Sequence, residues 1–341
     1  MPHTRGRGPR LALALIAACG CSHVDPGAPS DPPITHPFDP APPVRLTLNP
    51  GQDQWPAWTP DGRKVWYAYE DLDRTDHDQC LGLLPAGGGT RTVSACQDAP
   101  VAAAESLDVA SSPAVHGGQV AWMRATSPIG GVLPEGGDLV VAGAADLSAP
   151  RSVRHFPFVA STGRYQSLGT DVQWLDDSTL AYVGIQINYN FISHDTSVGG
   201  VEVTLVGLAG ASPATSVVGG TVGATSLSVG PTPGELFFTR GDTRIYQLQL
   251  PDTVPTIAFD FGALGIAEDV RAAGTRMLAV VADSAGRGGT IYLVDAGVAT
   301  AVTPPGTYWR HPALRPDGRA FAAERFDTLT ATYDIYSDSL P

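Results

Sequence analysis

Residues 54–69 read Gln-Trp-Pro-Ala-Trp-Thr-Pro-Asp-Gly-Arg-Lys-Val-Trp-Tyr-Ala-Tyr, and residues 310–325 read Arg-His-Pro-Ala-Leu-Arg-Pro-Asp-Gly-Arg-Ala-Phe-Ala-Ala-Glu-Arg. The shared core is Pro-Ala, an apolar residue, one further residue, and Pro-Asp-Gly-Arg. Pro60-Asp61-Gly62 and Pro316-Asp317-Gly318 each supply a fixed φ, a carboxylate able to bond the backbone, and a residue free to take positive φ. Apolar alternation on both sides makes each copy a β-hairpin.

Four degenerate copies lie between these two. They are 113–122, with a shorter turn; 172–182, turning on Asp176-Asp177-Ser178; 227–238, keeping the full turn length; and 269–280. Their apolar anchors are Trp58, Val115, Trp174, Val229, Val270 and Leu314, separated by 57, 59, 55, 41 and 44 residues. A four-stranded propeller blade takes about 40–50 residues, and insertions lengthen it. Every copy is followed by a third strand, at 79–83, 138–141, 201–205, 244–248, 290–294 and 334–337, and most by a fourth, as at 299–303. The last copy lacks its fourth strand, and residues 44–49 have no hairpin partner of their own. We therefore expect an all-β, six-bladed β-propeller over residues 44–341, closed by pairing of the N-terminal strand with the last blade. No long stretch of 3.6-residue periodicity competes with this reading.

The Pro-Ala-Trp-x-Pro-Asp-Gly-Arg motif, followed by Asp/Thr-Ile-Tyr at the third strand, resembles the WD40-like repeat of TolB-type β-propellers. The likeness spans residues 44–341, clear in the first and last repeats and faint in the middle four. It implies an exported, protein-binding propeller. TolB itself carries a separate N-terminal α/β domain, and only a short segment precedes the first strand here.

The N-terminus reads as an address. Arg5, Arg7 and Arg10 precede the short apolar run Leu11 to Ile16, and Ile16-Ala17-Ala18-Cys19 resembles a bacterial lipobox. Residues 1–18 are expected to be a signal peptide too short to span a bilayer as a helix. Cys19 is the expected lipidation site, with Cys21 the weaker acceptor, and Gly20 resembles the outer-membrane sorting pattern. Residues 19–43 form a Pro-rich tether. The chain has 341 residues and a formal net charge of -13, with one lysine, Lys64. Removing residues 1–18 takes away three arginines and no acid. Such a surface excludes nucleic-acid binding, which needs a basic face. It also leaves membrane contact to the lipid alone. The expected location is the outer membrane, facing the periplasm or the cell surface.

Cys80 and Cys96 flank a strand-turn-strand pattern in an exported chain and are expected to form a disulfide. No zinc spacing, Gly-x-Ser-x-Gly elbow or His-Glu-x-x-His is present. The acidic run 70–78 offers Asp71, Asp73, Asp76 and Asp78 as weak Ca²⁺ candidates, without the Gly and distal Glu of an EF-hand loop; a solvated loop is the preferred reading, and no cofactor is expected. Asp78, Asp138 and Asp334 recur at the start of third strands, which points to a structural role.

The inner strands begin near Asp53, Ser111, Asp171, Thr225, Asp269 and His311, facing the channel or its mouth. Trp55, Tyr308 and Trp309 beside them suggest an aromatic rim, whereas Trp58 and Trp174 recur as core anchors. Asp53, Trp55, Asp171, Asp269, Trp309 and His311 are thus the candidate channel and partner-binding residues. The reading that follows is a monomeric, lipid-anchored, non-catalytic platform for an envelope protein or peptide. The alternative is a channel-site enzyme acting on polysaccharide, of lyase or glycosidase type, marked by His and carboxylates with displaced pKa values at one channel mouth.

Overall fold

The computed structural model describes residues 43–72, 79–96, 105–109, 111–128, 136–157, 164–189, 196–209, 213–282, 288–328 and 330–341. The expected signal peptide, Cys19, and the tether up to residue 42 lie outside the described residues. Apart from one short 3₁₀ turn, Gly262–Leu264, the described elements are strands. Among the described residues no helix is long and apolar enough to cross a membrane.

A short strand, β1 (Val44–Arg45), opens the fold. The first sheet is β2 (Asp53–Trp58), β3 (Lys64–Glu70), β4 (Gln79–Pro85) and β5 (Val93–Ala95). The second holds β6 (Glu105–Val109), β7 (Ala114–His116), β8 (Gln119–Pro128), β9 (Gly136–Gly143) and β10 (Asp146–Pro157). The third is β11 (Arg164–Asp176), β12 (Thr179–Tyr189), β13 (Thr196–Gly207) and β14 (Ala214–Val217). The fourth is β15 (Ser226–Val229), β16 (Glu235–Thr239), β17 (Arg244–Gln249) and β18 (Thr256–Asp260). The rest of the chain is β19 (Ala267–Ala273), β20 (Arg276–Ala282), β21 (Gly289–Asp295), β22 (Val298–Ala301), β23 (Trp309–Leu314), β24 (Ala320–Asp327) and β25 (Thr332–Ser339).

All strand pairs are antiparallel, and this succession of meandering sheets is a β-propeller. Six separate blades are not what the hydrogen bonding gives. Four sheets stand apart, and β19 to β25 join with β1 in a single eight-stranded sheet. The junction is one pairing, Gly289 with Trp309. A Cβ on Gly288 or Gly289 would collide with the backbone of Trp309 or Val281, so these two glycines let neighbouring strands close to bonding distance.

The repeat builds its hairpins as its turn chemistry dictates. Gly62 N–H donates to Thr59 O at 2.8 Å, and Gly318 N–H to Arg315 O at 2.8 Å. Asp61 Oδ1 accepts from Arg63 N–H at 3.1 Å and Asp317 Oδ1 from Arg319 N–H at 3.0 Å. Gly62 and Gly318 take φ of 65° and 69°, which a side chain would resist. Hydrophobic clusters lie between successive sheets: Trp66 and Trp122 share one, Val183 and Phe238 another.

Four inner strands carry a bulge at the same repeat position. The pairing registers of β2, β11, β19 and β23 shift around Trp55, Asp171, Asp269 and His311. Those four residues hold positive φ of 59°, 52°, 48° and 46°. Each costs on the order of 1 kcal/mol against extended backbone. The bulge also moves the anchor of the fifth repeat. Counting from Asp269 as from Trp55 or His311 places Ala272, not Val270, at the position of Trp58 and Leu314.

β1 lies against β25, with Val44 opposite Ser337 and Arg45 opposite Tyr336. Leu46 N–H continues the ladder to Ile335 O at 2.7 Å. Arg45 Nη2 donates to Asp334 Oδ1 at 2.6 Å, and Thr47 Oγ1 accepts from Ile335 N–H at 2.9 Å. Asp334 and neighbouring Asp53 are fully buried. In each, Oδ2 has no partner among the described residues. Burial pushes Asp53 well above the usual carboxylate range, against a hydrogen bond from Thr47 and with Asp334 adding repulsion. Burial likewise pushes Asp334 up to about 6, with Arg45 opposing it.

An acid held above its unfolded pKa stabilises the fold when protonated, and that gain is lost as pH rises through the folded value. For Asp334 it is complete below about pH 4 and gone well above about pH 6. The melting temperature is expected to fall from about pH 5 to about pH 8, and Asp334→Asn to flatten the profile, as followed by circular dichroism. A profile that rises over this range, or a slope untouched by Asp334→Asn, contradicts the assignment.

Candidate functional site

The bulges bring four of the six sequence-predicted channel residues to equivalent places: Trp55, Asp171, Asp269 and His311. A bulge frees backbone N–H groups from the ladder, and buried N–H groups need partners. Polar side chains of neighbouring inner strands supply them. Ser226 Oγ accepts from Val270 N–H at 3.1 Å, and in β15, which carries no bulge, Leu227 N–H lies 3.3 Å from Asp171 Oδ2. Ser228 Oγ accepts from Ala272 N–H at 2.9 Å, and Asp269 Oδ2 from His311 N–H at 2.9 Å. Glu324 Oε1, from β24, accepts from Trp55 N–H at 2.6 Å.

Two charge clusters complete this end of the channel. Asp171 pairs with Arg271, whose Nη1 also donates to Val270 O at 2.7 Å and Leu227 O at 3.1 Å. Glu324, fully buried, takes His311 Nδ1 on Oε1 at 2.7 Å and Arg310 Nε on Oε2 at 2.5 Å. Trp55 stacks on the His311 ring with centroids 3.8 Å apart, and the Arg310 guanidinium lies 3.6 Å from the Tyr333 ring centroid. Burial disfavours the His311 imidazolium, but Glu324 and then Asp269 outweigh it and raise the pKa. Burial would raise Glu324; His311 and Arg310 overcome that and lower it. Asp171 stays raised because burial exceeds what Arg271 returns.

The other two predicted residues lie elsewhere. Trp309 is fully buried and belongs to the core. It meets Phe321 and Tyr336 edge-on, and its indole N–H donates to Thr307 Oγ1 at 2.6 Å. The expected aromatic rim therefore loses Trp309. Asp53 precedes the bulge by two residues and points into the β1 seam, where Asn49 Nδ2 lies 3.4 Å from its Oδ1. Ser111 and Thr225 fall one residue short of the bulge position, which Ser112 and Ser226 occupy.

Just past the bulges, toward the ends of the inner strands, lies a cavity of about 210 Å³. One residue per repeat lines it: Ala57, Ala114, Gln173, Ser228, Arg271 and Ala313. The wall is lopsided. Pro56, Trp58, Pro113, Val115, Leu314 and Pro316 surround the three alanines, whereas Gln173, Ser228 and Arg271 form a polar arc with Trp174. Both indole N–H groups are spent, Trp58 on Ala313 O at 2.9 Å and Trp174 on Ala114 O at 3.0 Å. His116 stacks on Trp174 and reaches Asp177 Oδ1 at 2.6 Å.

Sequence reasoning missed Glu324, Arg271 and the cavity. A Glu within the apolar run Phe321-Ala322-Ala323, and an Arg where other repeats carry Ala, Ser or Gln, were the available signals. Cys80 and Cys96 are joined by a disulfide, opposite one another across β4 and the end of β5. Asp71 Oδ2 lies 3.6 Å from Cys96 Sγ; bonded sulfurs offer no thiolate to a metal. Asp73, Asp76 and Asp78 lie outside the described residues. Asp138 accepts from Arg124 Nη2 at 3.0 Å and Ser152 Oγ at 2.7 Å, a strand-to-strand clasp.

No protein-family model matches the chain, and comparison with curated proteins gives no match. Solved structures do resemble it. TolB from Acinetobacter baumannii superposes with a TM-score of 0.53 at 12% identity, over 81% of this chain and 64% of that one. A putative TolB from Agrobacterium tumefaciens gives 0.50 at 12%, over 87% and 93%. Regucalcin from the same species, described as a calcium-binding protein, gives 0.51 at 13%, over 86% and 92%. The chain thus spans less than two thirds of the Acinetobacter protein. At these identities the likeness is one of fold.

Glu324→Gln is expected to cost about 3 kcal/mol, because it leaves Arg310 and His311 buried against a neutral amide. The His311 pKa, followed by NMR, is expected to drop. A stable variant with an unmoved His311 pKa contradicts the role given to Glu324.

Proposed function

We propose that the chain is an exported propeller of six blades, closed by β1 and tethered to the outer membrane through Cys19. On this reading it is a non-catalytic platform for an apolar peptide segment of an envelope protein. Six blades follow if β19–β22 and β23–β25 with β1 are counted as two four-stranded units of the eight-stranded sheet. In favour, the inner strands β2, β7, β11, β15, β19 and β23 contact one another in succession and return from β23 to β2. The likeness to TolB structures fits an exported protein but rests on fold alone.

The observation that carries the function is the cavity wall: every repeat contributes to it, and its surface is mainly polar, with Trp58, Leu314 and the alanines as an apolar side. A site of this size takes one or two side chains rather than a folded surface. The polysaccharide-enzyme alternative needs an acid and a base free to reach substrate. At the bulge end the charged groups hold backbone N–H groups and each other, so their displaced pKa values follow from closure of the ring.

Trp58 and Trp174 wall the cavity, so indole fluorescence reports its occupancy. Apolar peptides selected by display are expected to give a saturable change, lost in Val115→Glu with the circular dichroism preserved. No saturable change with any of them removes the platform reading. Cleavage of an oligosaccharide that depends on His311 replaces it with the enzyme.

A further inference from the structure

We propose that the cavity is occupied in the resting chain by the chain's own Pro-rich segment, residues 26–43, with Pro37 and Phe38 seated against Trp58, Leu314 and Pro316 of its lining. The inference rests on the peptide-binding reading and adds its regulation: a partner must displace an internal competitor.

The direction of the chain carries the first step. β23 runs from the bulge end to the cavity end, β24 returns, and β25 runs toward the cavity end again. β1 is antiparallel to β25, so the chain enters β1 from the face onto which the cavity opens. The turn between β23 and β24 on that face contains Pro316, part of the cavity wall.

Distance carries the second. One row of paired residues crosses the sheet from Val44 to Ser337, to Ala322, to Ala313. Ala313 lines the cavity. Three steps between strands make about 14 Å. A Pro-rich chain in the polyproline II conformation covers about 3.1 Å per residue, so Phe38, six residues before Val44, reaches about 19 Å. Residues around Pro37 and Phe38 therefore reach the mouth with little slack, whereas Pro42 and Pro43 fall short.

Chemistry carries the third. Eight of the 18 residues from 26 to 43 are proline, and Ile34 and Phe38 add apolar bulk. Proline presents carbonyl acceptors and no N–H donor. The wall nearest the entry row is Ala313, Leu314, Pro316 and Trp58, matched to prolyl and phenyl rings. Across the cavity, the half-buried Gln173 lines the wall and its amide can donate.

The test places a photo-cross-linker in the full chain by Phe38→p-benzoylphenylalanine and maps the products by mass spectrometry. Cross-links within one molecule to Trp58, residues 113–116 or residues 313–316, independent of protein concentration, are expected. Cross-links that join two molecules, or that fall elsewhere, overturn the proposal. Separately, a synthetic peptide of residues 34–43 is titrated by indole fluorescence against the wild-type chain and Phe38→Ala. A tethered competitor acts at an effective concentration of about millimolar, so the peptide is expected to bind Phe38→Ala at least about tenfold more tightly. Equal binding to both overturns self-docking and leaves the platform standing. Binding to neither overturns self-docking, while the platform reading stands or falls with the display-selected peptides.

Discussion

A single buried carboxylate joins the two ends of this fold. Glu324 sits in β24, late in the chain, and its side chain receives the backbone N–H of Trp55 in β2, together with the imidazole of His311 and the guanidinium of Arg310. The residues it unites are 269 positions apart in sequence. Removing a charge of this depth from water is unfavourable unless both oxygens find donors. Three donors in fixed places meet that demand, which in turn fixes the first and last inner strands against each other. The β1–β25 seam repeats the logic less completely, because Asp53 and Asp334 each keep an oxygen without a partner among the described residues.

The bulges explain why so much charge is concentrated at one end of the channel. Each opens an inner strand and leaves N–H groups that the ladder no longer serves. Carboxylates and hydroxyls of the neighbouring strand serve them instead, and Arg271 compensates Asp171. Residues that resemble a catalytic cluster in composition are therefore hydrogen-bonding partners of backbone. Their displaced pKa values record burial and mutual pairing, the two causes that structural networks share with active sites.

Local chemistry was legible in the sequence; long-range partnership was not. Pro60-Asp61-Gly62 and Pro316-Asp317-Gly318 name their own turns, because the constraint lies within four residues. The third strands and the β1–β25 pairing followed from counting strands. Trp309 was misread because an aromatic residue at the head of a strand looks the same whether it faces solvent or the neighbouring sheet; its contacts with Phe321 and Tyr336 decide the matter. The anchor at Ala272 was displaced to Val270 because a bulge adds a residue that alternation does not announce. The merging of two sheets at Gly289 and Trp309 depends on the approach of two backbones and leaves no compositional trace beyond the glycines.

Beyond the bulges the inner strands enclose a cavity that shares Arg271 and Ser228 with the bulge network. There the same repeat position carries Ala57, Ala114 and Ala313 on one side and Gln173, Ser228 and Arg271 on the other. A channel needed only as a packed axis would be served by six similar side chains, as symmetric repeats favour. Three alanines together instead leave room, and the indoles of Trp58 and Trp174 are held by backbone carbonyls, so their faces are fixed. Rigid aromatic walls around a void lower the entropy lost on binding, because little has to be ordered when a side chain enters. The four left-handed residues and the charges that serve them thus lie directly beside a recess whose two indole faces are held in place.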